Sequence, residues 1–269
     1  VEQQHRAVEC DLAEVPLDES NLAHRAAVSM VQAHGLTVND LNLHLHIDKA
    51  VPVAGGMAGG SADAAAALLA VDQYLYEKRL TERTLGLEEL LALAAPLGAD
   101  VPFVVRAAFP LGGLAVGEGT GTELSIVELP EDMIPLDIVL GAASEGLSTP
   151  QVFSELDEGR TAGRYPEADD LQVPSGLLHA LTQTETPIAR IHEIGRQLRN
   201  DLQGPAVTLA PGLETILTMD NESIVEAFVS GSGPTVAILV EDAPAADELA
   251  AALRRRGRYA IATQTPAML

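Results

Sequence analysis

The residues Pro52-Val53-Ala54-Gly55-Gly56-Met57-Ala58-Gly59-Gly60-Ser61-Ala62-Asp63 constrain this chain more than any other stretch. They follow residues 41–48, whose strict apolar/polar alternation reads as a half-buried strand. They precede an Ala/Leu run to about Tyr76 that reads as a strong helix. Ser61 is placed to cap that helix, with Asp63 in its first turn. Glycine at this density costs backbone entropy that a plain connector need not carry. In return, several N–H groups can turn into one concavity that opens onto the free N–H groups and dipole of a helix N-terminus. That arrangement is an anion site suited to a polyphosphate. A tight strand–helix turn without a ligand is the plain alternative.

Two familiar phosphate loops are excluded. A Walker A loop needs Gly-Lys-Ser/Thr, but Gly60 is followed by Ser61 and no lysine. The dinucleotide pattern G-x-G-x-x-G fails because Met57 stands where its second glycine should be, which argues against a Rossmann dehydrogenase.

Around the loop, the spacing predicts a helix from Ser20-Asn21 towards His34, stopped by Gly35, and another over residues 87–97 closed by Gly98. Residues 101–105 read as an apolar strand, and further strands are expected at 124–129 and 136–140. From Ser148 the character changes to helices near 150–156, 175–182, 188–198 and 212–218. The charged, Gly/Pro-containing stretch 157–170 is expected to be an exposed, mobile loop. A strand–turn–strand at 223–240, a helix at 245–256 and a strand at 260–265 complete the pattern. Helix and strand mix without regular alternation, so the class is α+β rather than a doubly wound sheet.

Sixteen Lys+Arg against 39 Asp+Glu give a formal charge of −23 and a pI near 4.4. So acidic a body repels nucleic-acid backbones and anionic lipid, and neither is expected as a partner. A small anion held by backbone N–H groups remains compatible with it. Only Lys49 and Lys78 are lysines. The single Cys10 excludes a disulfide framework, suits a reducing, cytoplasmic setting and reads as a plain strand residue. No stretch has the apolar length of a membrane span. His44 and His46 share a strand face and could meet one metal, but no third ligand is evident, and solvent-facing histidines are the simpler reading. The cluster Arg254-Arg255-Arg256-Gly257-Arg258 closes a helix, where cations complement the dipole; phosphate or partner contact is its other reading.

Two further segments carry chemistry. In Leu97-Gly98-Ala99-Asp100-Val101-Pro102-Phe103 a carboxylate sits after one helix and before apolar residues, a disfavoured place for an acid and so a hint of function beside the plain reading of a turn-forming Asp. Val229-Ser230-Gly231-Ser232-Gly233-Pro234-Thr235 allows close backbone approach to a ligand or another segment, or is a plain hairpin turn.

Together these residues resemble the GHMP kinases, the superfamily of galactokinase, homoserine kinase and mevalonate kinase. Within it, the Val51–Ala65 stretch and Leu97–Phe103 look like the 4-diphosphocytidyl-2-C-methyl-D-erythritol kinases. So do Asn21-Leu22-x-x-Arg25-Ala26, Ser148-Thr149-Pro150-x-Val152-Phe153, Leu198-x-Asn200-Asp201-Leu202 and 230–235, which occur in family order. The resemblance implies a two-domain fold, with a ribosomal-S5-like N-terminal domain over 1–145 and a ferredoxin-like α/β-sandwich domain over 146–269. It implies transfer of the ATP γ-phosphoryl to the 2-hydroxyl of 4-diphosphocytidyl-2-C-methyl-D-erythritol, by a monomer or homodimer. Pro52, Val53, Ala54, Gly55, Gly56, Met57, Ala58, Gly59, Gly60, Ser61 and Ala62 would wrap the triphosphate, with Ser61 near the phosphates or Mg²⁺. Asp100 would be the catalytic base, and Gly231, Ser232 and Gly233 would lie at the domain cleft against substrate or ATP. No protein residue is assigned to the metal. Another GHMP small-molecule kinase, or a non-catalytic nucleotide-binding protein of this fold, is the alternative.

The sequence departs from the family in two ways. Met57-Ala58 replaces the usual Leu-Gly, and Ala58 is strained there if the loop needs φ > 0. The family's opening strand, Pro-Ala/Gly-Lys-Ile/Val-Asn-Leu, and its Asp-Gly-Tyr-His are not in the sequence, and neither Lys49 nor Lys78 stands in such a motif. The expectation is a kinase lacking its first several dozen residues, with one or two strands fewer and little or no turnover in this form.

Overall fold

The computed structural model describes residues 8–10, 15–38, 41, 43–49, 51–53, 55–109, 113–128, 135–143, 146–167, 173–182 and 187–265. The chain divides into two compact units, Val1–Val53 with Ala58–Val127, and Ala54–Met57 with Glu128–Leu269.

In the first unit, β1 (Val8–Cys10) pairs in parallel with β2 (Leu45–Ile47), Val8 opposite Leu45 and Cys10 opposite Ile47. Of the strand expected over 41–48, Leu45–Ile47 are strand among the described residues. Helices α1 (Leu22–Ala33) and α2 (Gly59–Glu77) form the core with α3 (Leu87–Ala94) and α4 (Val101–Ala107). Ala23, Ala26 and Ala27 of α1 and Ala64, Ala65 and Ala67 of α2 are all buried, and methyl-sized side chains let two helix backbones approach closely. Asn21 starts α1 by accepting from the N–H groups of Ala23 (2.9 Å) and His24 (3.3 Å). Beneath α1, His34 Nε2 meets Asp72 Oδ1 at 2.7 Å, and Asp72 Oδ2 accepts from Leu85 N–H at 2.9 Å. Strands β3 (Ala115–Glu118) and β4 (Glu123–Ile126) form an antiparallel hairpin, the second displaced slightly from its expected place and the first lying among the glycines of residues 112–121.

The expected strand over 101–105 is instead helix α4. Val101, Pro102 and Val105 are buried while Phe103 is only half-buried, an i, i+1, i+4 stripe that helical winding turns to one face and strand alternation would not. Pro102 sits in the first turn, where its missing N–H costs nothing. Burial of that stripe outweighs the β-propensity of its valines.

In the second unit, β5 (Asp137–Ala142), β6 (Ile224–Val229), β7 (Thr235–Val240) and β8 (Tyr259–Gln264) form an antiparallel sheet in the order β6-β7-β5-β8. Second, third, first, fourth is the ferredoxin-like order. All of β7 is buried because both faces are covered. Val236, Ile238 and Val240 face a cluster with α8 (Gln203–Leu209) and α10 (Ala243–Arg255), while Leu239 faces α6 (Ser175–Thr182) and α7 (Pro187–Gln197). A short 3₁₀ turn leads from α8 into α9 (Glu214–Leu217). Helix α5 (Thr149–Thr161) runs on through the first residues of the stretch expected to be loop. Its Gly159 is buried against Tyr165, whose ring occupies the place a Cβ would take. Residues 168–170 of that stretch lie outside the described residues. Among the described residues no helix is long and apolar enough to cross a membrane.

Candidate active site

The glycine loop contributes to both units. In the first, α2 begins at Gly59, two residues before the expected start, so Ser61 is its third residue rather than its cap. Asp63 accordingly opens the second turn instead of lying in the first. The cap position is Ala58, which has no side chain able to accept from the helix N–H groups and stands at φ +50°. That is the strained arm of the expectation for Ala58, since an L residue pays about 1–2 kcal/mol in this region. A long helix thus starts without a side-chain cap, beside exposed Gly60 and half-buried Ser61. Its first N–H groups and the positive end of its dipole suit an anionic oxygen.

Packing of α2 on α4 brings the Asp100 segment to the same place. Ser61 Oγ lies 3.9 Å from where a Cβ on Gly98 would stand. Gly121, in the β3–β4 turn, is close enough to Ala99 that its own Cβ would sit 3.5 Å from that methyl group. Asp100 is exposed, at the N-terminus of α4, and makes no capping hydrogen bond. The carboxylate is therefore at the favourable end of a helix dipole, which corrects the expectation of an acid placed against one. Before the loop, Lys49 Nζ donates to Asp63 Oδ2 at 2.5 Å.

In the second unit Gly56 packs on the second glycine loop. Ser230 Oγ donates to Gly56 O at 3.0 Å. Gly56 stands at φ +69°, and a Cβ there would be 2.6 Å from Gly233 O and 2.8 Å from Ser230 O. Only glycine permits this approach. Three further bonds hold the loop: Asn200 Nδ2 donates to Val229 O and Gly231 O, each at 2.7 Å, and the Ser232 and Thr149 hydroxyls meet at 2.8 Å. Asn200 Oδ1 in turn accepts from Leu202 N–H at 2.9 Å.

Of the expected loop residues, Pro52, Val53, Gly59, Gly60, Ser61 and Ala62 thus belong with Asp100 in the first unit. Gly55, Gly56 and Met57 belong with Gly231, Ser232 and Gly233 in the second. Ala54 lies outside the described residues. Sequence reasoning noted Lys49 as one of two lysines but gave it no role, and it left Asn200 and Thr149 without roles inside motifs already recognised. His44 and His46 are exposed, and among the described residues no group of three His, Cys, Asp or Glu could hold a metal ion. Arg254 and Arg255 lie in the last turn of α10, and Arg254 donates to Ala260 O at 3.2 Å, as expected of a helix-end cluster.

The element order and both glycine loops define a class, and comparison with known proteins bears it out. The GHMP kinases N terminal domain matches residues 21–108 and the GHMP kinases C terminal domain matches residues 178–258. The chain belongs to the GHMP kinases. It is 42% identical to the 4-diphosphocytidyl-2-C-methyl-D-erythritol kinase of Paenarthrobacter aurescens (strain TC1), over 96% of this chain and 75% of that protein. A crystal structure of a 4-(cytidine 5'-diphospho)-2C-methyl-D-erythritol kinase superimposes with a TM-score of 0.67 at 28% identity, over 96% of this chain and 82% of that one. A homoserine kinase from Cytophaga hutchinsonii reaches 0.64 at 16% identity, over 99% and 83%, which shows the shared fold alone.

Proposed function

We propose that this protein transfers the γ-phosphoryl group of ATP to the 2-hydroxyl of 4-diphosphocytidyl-2-C-methyl-D-erythritol, in non-mevalonate isoprenoid synthesis. The observation that carries the reading is the 42% identity to a kinase of that name over 96% of the chain, where a homoserine kinase shares only the fold.

Phosphoryl transfer leaves the protein little covalent work; rate comes from alignment and from neutralising charge around an in-line displacement. The uncapped start of α2 supports phosphate binding, because its N–H groups need an acceptor that Ala58 cannot supply. Asp100, exposed and free of a capping bond, is suited to accept the proton of the attacking hydroxyl. Gly231, Ser232 and Gly233, fixed by Asn200 and Thr149, form a preset backbone surface for substrate or nucleotide. Mg²⁺ bound to a nucleotide keeps most of its waters and phosphate oxygens and asks for only one or two protein oxygens. Ser61 Oγ at the start of α2 is of that kind, and the ion would neutralise phosphate charge there. The reading further takes the protein to act in the cytoplasm, as a monomer or homodimer.

The test is ADP release by the purified natural full-length protein with 4-diphosphocytidyl-2-C-methyl-D-erythritol, homoserine and mevalonate in parallel. Release specific to the cytidyl substrate is expected, and preference for either other alcohol would overturn the assignment. Asp100→Asn should lower turnover at least a thousandfold while ATP affinity stays within about threefold. Unchanged turnover would remove Asp100 from its role.

A further inference from the structure

We infer that Lys49 is the cation of the phosphate loop, a positioning residue that sets the field at the N-terminus of α2 and hence the affinity for phosphate groups; the inference rests on the kinase reading above. Lysine is almost never fully buried unless paired. The Lys49 side chain is only 6% exposed, with its ammonium 2.5 Å from Asp63 Oδ2. By contrast Lys78 is exposed, its ammonium 5.6 Å from the Tyr74 ring centre. A buried ion pair is a poor device for stability, because desolvating both charges offsets most of their attraction.

Its placement suggests another use. A Cβ on Gly59 would lie 3.1 Å from Lys49 Nζ, 3.6 Å from its Cε and 3.5 Å from Val51 Cγ2. Gly59 has helical backbone, so no unusual φ requires glycine there. What the missing side chain provides is room for an ammonium against the first residue of the helix. The cation therefore adds to the positive end of the α2 dipole, where Asp63 by itself would subtract from it. In a chain with a formal charge of −23, a polyphosphate needs such a local source of attraction.

The experiment measures affinities of the wild-type protein, K49M, K49R and D63N for ATP, ADP and adenosine by calorimetry, with thermal unfolding alongside. In K49M, ATP should bind at least tenfold more weakly, ADP should lose less, and adenosine should change less than twofold. K49R should keep ATP affinity within about threefold. D63N leaves the ammonium unopposed and should bind ATP as tightly as the wild type or more so. If K49M loses ATP and adenosine equally, or keeps both, the inference is wrong and the pair is only a staple. Should K49M fail to fold, D63N decides alone: a loss of ATP affinity beyond twofold refutes the proposal. Wild-type protein that does not bind ATP would instead take down the kinase reading and this inference with it.

Discussion

Gly56→Ala is the sharpest probe of the interlocked glycine loops, because two separable costs meet at one position. The first is conformational: at φ +69° an alanine pays about 1–2 kcal/mol. The second is contact. Its methyl group would stand 2.6 Å from Gly233 O, 2.8 Å from Ser230 O and 2.9 Å from Gly233 C, all backbone atoms that cannot rotate aside. Overpacking of this sort costs about 1–3 kcal/mol. Gly257 supplies the control within the same unit, since it has φ +73° and nothing within 4 Å of a Cβ. Urea unfolding should therefore show a loss of about 1–2 kcal/mol for Gly257→Ala and about 2–5 kcal/mol for Gly56→Ala. The difference isolates the contact between the loops. Two variants within about 0.5 kcal/mol of one another would refute the close approach of Gly56 to Gly233.

Other expectations follow from the first unit. Asp72→Ala strands both His34 and the Leu85 N–H, and unpaired buried polar groups cost about 1–3 kcal/mol each, so urea unfolding should report a loss of about 2–6 kcal/mol summed over both groups. A loss below about 0.5 kcal/mol would show that the pair is not formed. The Glu89 carboxyl is drawn from 4.5 down to about 2, chiefly by its hydrogen bonds with Arg83 and then by the Gly86 N–H. Because the folded state favours its charged form, this contribution is present above about pH 4.5 and lost as pH falls towards 2. An NMR titration should place the Glu89 midpoint near 2 and show it rising towards 4.5 in Arg83→Gln; an unchanged midpoint would discard the bidentate pair.

Much of the site was legible because glycine loops and their flanking helix are local features. Pro52–Gly60 and Ser230–Gly233 stand out by composition, and Leu97–Phe103 by its motif. Three things were not legible. Val101–Val105 looks like a strand until Val101, Pro102 and Val105 are seen to be buried together, a helical face rather than a strand's alternation. Helix α8 was missed because Gly204 and Pro205 stand in its first turn, and α5 outran its expected end because Gly159 reads as a breaker until Tyr165 is found packed on it.

The sequence by itself determined the chemistry on offer: a glycine loop suited to a polyphosphate, a carboxylate in a family motif, two lysines and an acidic body. Those depend on residue type and on spacing along the chain. Tertiary structure alone decided the pairings, because they join residues far apart in sequence. Burial gives them their strength, and burial is a property of the folded surface. Gly56 had to be glycine because Gly233 and Ser230 lie against it, and Gly59 leaves room for Lys49. Asn200, an unassigned motif residue, became the amide that fixes the second loop. Asp100 changed from an acid at the wrong end of one helix to an exposed carboxylate at the right end of another.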